Sequence, residues 1–331
     1  MSGSNYPGGF SNGVTIRGVP IDSPNPGEVF WVNNSSVLAK GGVGGSNNND
    51  GSYRRPFKTI DYAIGKCTAN RGDIIYVMPG HSETVSTATG GTAAVDIDVA
   101  GVSIIGLGTG AKQARFDFTL AAGAVTVGAS NVSIINMNFH ANVPSVLIGL
   151  TVTTLMTNLE VKDCLFDVET TVTDAFVVAI QFAVGNSNFL IENCYFDSGL
   201  QALATHAIYL VGATAGGIIR NNLITGDYTT ACIGGLTTLS TEIYILENYL
   251  CNGGSANVGT VATISMVAAS TGAVVGNYSH CNVATGVLHF VNTGMFHANN
   301  WMGEDAGSAN TAGQTRGVGL DIASIVPFAD D

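Results

Sequence analysis

Apolar and polar positions recur along this chain in one short pattern. Two or three strand-type residues are followed by a small polar pivot, then an aromatic or aliphatic pair. The pattern is clearest in LIENCYF, Leu190 to Phe196, and returns as SIINMNF (Ser133 to Phe139), EVKDCLF (Glu160 to Phe166) and IIRNNLI (Ile218 to Ile224). YILENYL (Tyr244 to Leu250), AVVGNYS (Ala273 to Ser279) and FHANNWM (Phe296 to Met302) continue it. The pivots Asn136, Asp163, Asn193, Asn221, Glu247, Gly276 and Asn299 are spaced by 27, 30, 28, 26, 29 and 23 residues. A repeat of that length predicts a solenoid, each unit burying its apolar face only against its neighbours.

Between these stretches lie further strand patterns with a period of two, such as Phe176 to Phe182, His206 to Gly212, Thr263 to Ala269 and Gly286 to Asn292. Alternate residues, for example Val178, Ile180 and Phe182, are expected to point into the bore. Stacked at about 4.8 Å per coil, about nine coils make a rod on the order of 40 Å long. The pivot has a physical reason. A sharp turn between two strands needs one residue near the left-handed region, and Asn tolerates it while offering an amide to the coils above and below. A structural turn ladder of Asn136, Asn193, Asn222, Asn248, Asn277 and Asn300 is therefore expected. Cys164 and Cys194 stand in the same column as the last four, one residue after the pivot.

Before the coils, residues 1 to about 28 are rich in Gly, Pro, Ser and Asn and read as an extended arm, ordered by whatever binds it. Val29 to Val32 is the first strand, and Gly41 to Ser52 reads as a turn-forming loop with no packing capacity. In PFKTIDYAI, Thr59 caps a short helix at about 56–66, with Ile60, Ala63 and Ile64 on one face to close the open end of the solenoid. The strand in GDIIYVMPG follows. Near the other end, Val318 to Ile322 reads as one more strand, and 326–331 as an acidic tail.

The run NDG, PFKTI, AI, GDIIYVMPG, then Glu83 and Thr84, resembles the opening of pectate-lyase-like right-handed parallel β-helix proteins. Versions of that opening are frequent in bacteriophage structural proteins, and the Asn column resembles the polar ladder at one turn of those helices. The resemblance spans roughly residues 29 to 325 and implies an all-β fold. That fold carries lyases, hydrolases, adhesins and inert virion parts alike, so function must be read from the residues.

Charge narrows the choice. Hydrophobic residues are 46% of the chain and charged ones 11%, so Thr, Asn, Ser and an oligomer must supply solubility. Residues 1–71 hold 7 of the 12 basic and 4 of the 24 acidic residues, a balance of +3; the other 260 hold 5 and 20, a balance of −15. An acidic body argues against nucleic acid or an anionic membrane as its partner. The first residues lack the basic-then-apolar pattern of a signal peptide, and no apolar run reaches membrane-spanning length, so use without export is expected. Six cysteines show no CxxC pair, and stacked reduced thiols at Cys164 and Cys194 are the expectation.

A lyase on this fold needs clustered carboxylates for calcium and a base against a uronate, and a hydrolase needs two or three facing carboxylates. Asp96 and Asp98 form the only internal Asp-x-Asp, and both are expected to face solvent. Beyond Lys162 the only basic residues are Arg220 and Arg316, and Asp330 and Asp331 lie in the tail. His81 reads as a satisfied turn or surface group, and His280, Cys281, His289 and His297 show no metal-ligand spacing. Tyr195, Tyr249, Tyr278 and Trp301 share a column that could stack sugars or pack on a neighbour; Leu165 and Leu223 in it favour burial.

No catalytic, cofactor or metal site emerges. The favoured reading is a non-catalytic bacteriophage virion protein, a homotrimer decorating or cementing the capsid. It would assemble in the host cytoplasm and contact the major capsid protein or another virion protein through the arm. The alternative is a tail spike or fibre that binds or degrades host polysaccharide. A depolymerase assay separates the two.

Overall fold

A computed structural model describes residues 27–35, 42–86, 95–169, 173–199, 204–235, 237–253, 262–281, 289–291 and 294–304, with strands at 14–16 and 19–21. The strand expected at 318–322, the tail at 326–331, Arg316, Asp330 and Asp331 lie outside these residues. The fold is an all-β parallel solenoid built from three sheets of ten, nine and eight strands, so the coil number depends on the sheet counted. Consecutive strands of a sheet come from consecutive coils, and every pairing in the solenoid sheets is parallel.

Register explains why the repeat folds this way. In the first sheet Phe30, Ile75, Ile104, Ile134, Val161, Ile191, Ile219, Ile245 and Val274 form one inward column, all buried. The second sheet stacks Phe116, Phe139, Phe166, Phe196, Ile224 and Leu250 inward. The Phe139 and Phe166 rings lie 4.4 Å apart at 7°, and Phe166 and Phe196 4.7 Å apart at 11°. Rung spacing imposes this face-to-face overlap on identical residues in a column. The third sheet adds Val125, Leu150, Ile180, Ile208, Ile233 and Ile264.

All seven pivots have φ between 52° and 69°, and each ends a strand of the first sheet and precedes one of the second. The left-handed turn is thus the corner of the coil, which explains why Asn, Asp, Glu and Gly occupy it rather than β-branched residues.

At the N-terminal end the cap helix is a single turn, Ile60–Ile64, shorter than the expected stretch of 56–66. Thr59 Oγ1 accepts from Tyr62 N–H at 3.4 Å, and Ile60, Ala63 and Ile64 are buried. The glycine-rich loop before it does pack, contrary to expectation. Gly51 is buried at φ 76°, its carbonyl accepts from Trp31 N–H, and a Cβ there would meet the Phe57 ring at 2.5 Å. Asn47 Oδ1 ties the loop to Lys58 N–H at 2.9 Å. The arm, expected to be extended throughout, contains an antiparallel pair, Val14–Ile16 with Val19–Ile21.

Candidate functional site

One residue after the pivots, the chain points inward. Asn222, Asn248, Asn277 and Asn300 are buried there in successive coils. Each amide donates to the next: Asn222 to Asn248 at 2.9 Å, Asn248 to Asn277 at 2.9 Å and Asn277 to Asn300 at 3.1 Å. Their second N–H reaches the carbonyls of Ile191, Ile219, Ile245 and Val274. Each Oδ1 also accepts the main-chain N–H of the coil below, beginning with Cys194 on Asn222 at 2.9 Å. The column therefore pairs both N–H groups and the oxygen of the Asn222, Asn248 and Asn277 side chains within the rod.

Cys164 and Cys194 continue the column, both buried and unbridged. Their thiols lie nearest the Lys162 and Glu192 carbonyls of their own coils, at 3.2 and 3.4 Å, and also reach the Ile134 and Val161 carbonyls of the preceding coils at 3.6 Å, the acceptors an amide would use there. Burial, foremost, and the neighbouring Cys164 raise the Cys194 pKa, which favours its thiol form. Asn136 and Asn193 do not belong to this column. They are pivots, at φ 54° each, one residue earlier in the coil. Asn136 donates to Gly106 and Gly108 carbonyls at 2.8 and 3.1 Å, while Asn193 is exposed. The expected single ladder of six is thus two columns with different duties, a left-handed turn and a buried amide chain.

Two residues after the pivot, side chains point outward from the second sheet, since the described side chains on either side are buried. Leu165, Tyr195, Leu223, Tyr249, Tyr278 and Trp301 follow one another there in register. Burial had been expected for the aromatic members. All four are instead at least one-third exposed in the isolated chain, Trp301 the most at 55%.

Toward the N-terminal end the same face becomes charged. Arg115, Asn138 and Leu165 share one outward column, and Asp117, His140 and Asp167 the next. His140 Nδ1 lies 2.7 Å from Asp167 Oδ1, and its Nε2 lies 2.9 Å from Glu169 Oε2. The hydrogen bond to Asp167 raises the His140 pKa, helped by the charge of Asp167 and the bond to Glu169, against burial and Arg115. Arg115 Nε donates to Ser82 Oγ at 3.1 Å, and its guanidinium lies 3.8 Å from Asp117. Asn138 Nδ2 donates to Asp167 at 3.3 Å, while Asn138 Oδ1 and Asp117 Oδ1 are buried without a protein partner. A groove of about 450 Å³ opens here, lined by Lys112, Gln113, Arg115, Asn138, His140 and Asp167 among others.

Chemically, this groove can accept hydrogen bonds from a hydroxyl or N–H and meet an anion with Lys112 and Arg115. Its two imidazoles already contact carboxylates, while Asp117 keeps one oxygen without a protein partner. Both ring nitrogens of His140 face carboxylates, so a ligand would have to break one of these contacts to reach either nitrogen. The sequence held a signal for this cluster: His140, Asp167 and Glu169 lie one repeat apart, visible once the coils are laid in register.

His81 is buried, with Nδ1 accepting from Asn34 N–H at 3.0 Å and Nε2 donating to Glu83 Oε2 at 2.8 Å. Glu83 Oε2 also accepts from Ile60 N–H at 3.0 Å, so the pair fastens the cap. Asp96 and Asp98 point outward from a strand whose Val95 and Ile97 are buried, and Asp61 Oδ1 accepts from Asp96 N–H at 3.1 Å. Burial, then the charges of Asp98 and Asp61, raise the Asp96 pKa. His280 belongs to the outward face, whereas His289 is buried with Nδ1 2.8 Å from Ser279 Oγ. Among the described residues no three His, Cys, Asp or Glu side chains are placed to hold a metal ion, and no helix is long and apolar enough to cross a membrane.

No family model and no curated protein matches the chain. Among solved structures, a rhamnogalacturonan lyase is similar over 83% of this chain and 87% of its own, at 12% identity and a TM-score of 0.30. At that score the likeness says nothing about activity.

Proposed function

We propose that the protein is a non-catalytic structural component of a bacteriophage particle. In this reading it is a trimeric decoration or cement protein, held to the major capsid protein or another virion protein by residues 1–28. The observation that carries the reading is the state of His140. Both imidazoles that line the groove are engaged: His140 lies between Asp167 and Glu169, tying coil to coil, and His81 is held by Glu83, so neither stands open to a substrate. The assignment to a phage rests on the resemblance of residues 49–84 to openings frequent in phage structural proteins. The basic-leaning first 71 residues and the acidic remainder support separate contact surfaces for attachment and for the rod.

A second reading has its own support. The outward aromatic column leads into a groove whose buried Asn138 and Asp117 oxygens want donors, an arrangement suited to a glycan. Under this reading the protein is a spike or fibre that grips host polysaccharide.

Two experiments decide between them. A protein inventory of purified particles with copy numbers should find hundreds of copies for a decoration protein and tens for a spike. Release of oligosaccharide from capsular or pectic polymers by purified protein would overturn the first reading. Deleting residues 1–26 keeps Glu28, whose N–H donates to Asp73 at 2.7 Å. The shortened protein should fold, form its oligomer and no longer attach to particles. Full occupancy without the arm would refute its role as tether.

A further inference from the structure

His206 opens a strand of the third sheet and is buried, 4% exposed. Its ring stacks on Tyr209, with centroids 4.1 Å apart at 3°. Gly234 of the next coil lies so close that a Cβ there would run into Cδ2 and Nε2, so the imidazole is held in place. A neighbouring hydroxyl sets its tautomer. Thr205 Oγ1 donates its single hydrogen to the Val177 carbonyl at 2.9 Å, so toward His206 Nδ1, 3.2 Å away, it can only accept. Nδ1 therefore carries the ring's proton, and burial, which lowers the pKa to about 4, keeps the ring neutral. Nε2 is left as a lone pair, buried and without a protein donor. Such an acceptor is costly unless a donor reaches it.

His206 also lines a cavity at the turn from the second sheet to the third, walled on its apolar side by Phe166, Phe176, Ala179 and Phe196. Asp197, Ser198 and Tyr228 make up the rest of the wall, so three successive coils contribute. About 10 Å³ is open to the centre of a water, which is room for one molecule and for nothing larger. We infer that this cavity is a binding site for a single structural water, which donates one hydrogen to His206 Nε2 and joins it to the polar wall. A buried water needs two to four polar partners, and the cavity holds an imidazole, a carboxylate and two hydroxyls. Ser198 Oγ accepts from Asp227 N–H at 3.0 Å, and burial keeps the Tyr228 phenol protonated, so both hydroxyls have a hydrogen. The water thereby ties three coils at this corner, as the amide column does at the corner between the first and second sheets. The site is independent of both functional readings above.

The test uses the full chain. A crystal structure that resolves ordered solvent is expected to show one water in this cavity, within hydrogen-bonding distance of Nε2. Long-range proton–nitrogen NMR of labelled protein at neutral pH should find the His206 proton on Nδ1 and none on Nε2. Filling the space reads what the water contributes. Ala179→Val displaces it, and should lower the melting temperature by several degrees with His206 present but much less beside His206→Leu, where no lone pair lacks a donor. An equal change in both backgrounds means a dry cavity and overturns the site. So does a crystal structure with no water on Nε2, or a spectrum with the proton on Nε2. If either variant fails to fold, the solvent structure and the tautomer of the wild-type protein decide by themselves.

Discussion

Asn277→Leu tests the amide column where it is most completely buried. Asn277 is fully inaccessible and takes part in the column through both ends of its amide. Its Oδ1 accepts from Asn248 N–H and Asn248 Nδ2, each at 2.9 Å, and its Nδ2 donates to Ile245 carbonyl at 2.8 Å and Asn300 at 3.1 Å. Leucine is close in volume, so little cavity opens. What is lost is pairing: two donors on Asn248 and the Ile245 carbonyl lose a partner inside the rod. Each buried orphan costs about 1 to 3 kcal/mol, and the added apolar burial returns about 1 to 2 kcal/mol. A net loss of about 3 kcal/mol is expected, lowering the melting temperature by roughly 5 to 10 °C. The same coil geometry supplies the control. Asn193→Ala changes an exposed pivot with no place in the column, and should lose only about 1 kcal/mol for a left-handed residue without Asn's tolerance. Because a solenoid can open locally, amide hydrogen exchange at Asn248 should accompany the melt. Unchanged protection at Asn248 with an unchanged melting temperature would refute the account of the ladder.

Three further outcomes follow from the buried ionisable groups. His140 has a raised folded pKa, so its contribution is complete below the ordinary histidine value and fades as pH rises through the folded value. The stability gap between wild type and His140→Gln should therefore shrink as pH rises above the ordinary histidine value, and a gap that widens would contradict the ion pairs. Burial lowers the His206 and His289 pKa to about 4, so the unfolded chain takes up more protons between about pH 6.5 and 4. Melting temperature should fall with pH across that window and His206→Phe should flatten the fall; an equally steep curve for the variant would mean His206 is not the titrating group. Reducing agent should leave the melt unchanged, and peptide mapping of unreduced protein should recover Cys164 and Cys194 unlinked; a stoichiometric bridge would overturn the stacked-thiol picture.

Sequence alone determined the coil and its corners. A repeat of 23 to 30 residues with a polar pivot can bury alternating Ile, Val and Phe only by stacking in parallel. Local strain then selects Asn, Asp, Glu or Gly at the left-handed turn. Such terms depend on each residue and its near neighbours, so they are written in the chain. Tertiary structure decided everything that depends on what stacks on what. Asn136 and Asn222 look alike in sequence, but one residue of offset puts the first on the turn and the second in the bore. Tyr195 and Phe196 are adjacent, yet the pleat sends Tyr195 to the surface and Phe196 into the Phe column. His140 lies 27 residues before Asp167 and 29 before Glu169, and only the register of two coils makes them one ion-paired cluster. The repeat varies by several residues from coil to coil, so that register is set by packing of the whole rung, and no local stretch can specify it.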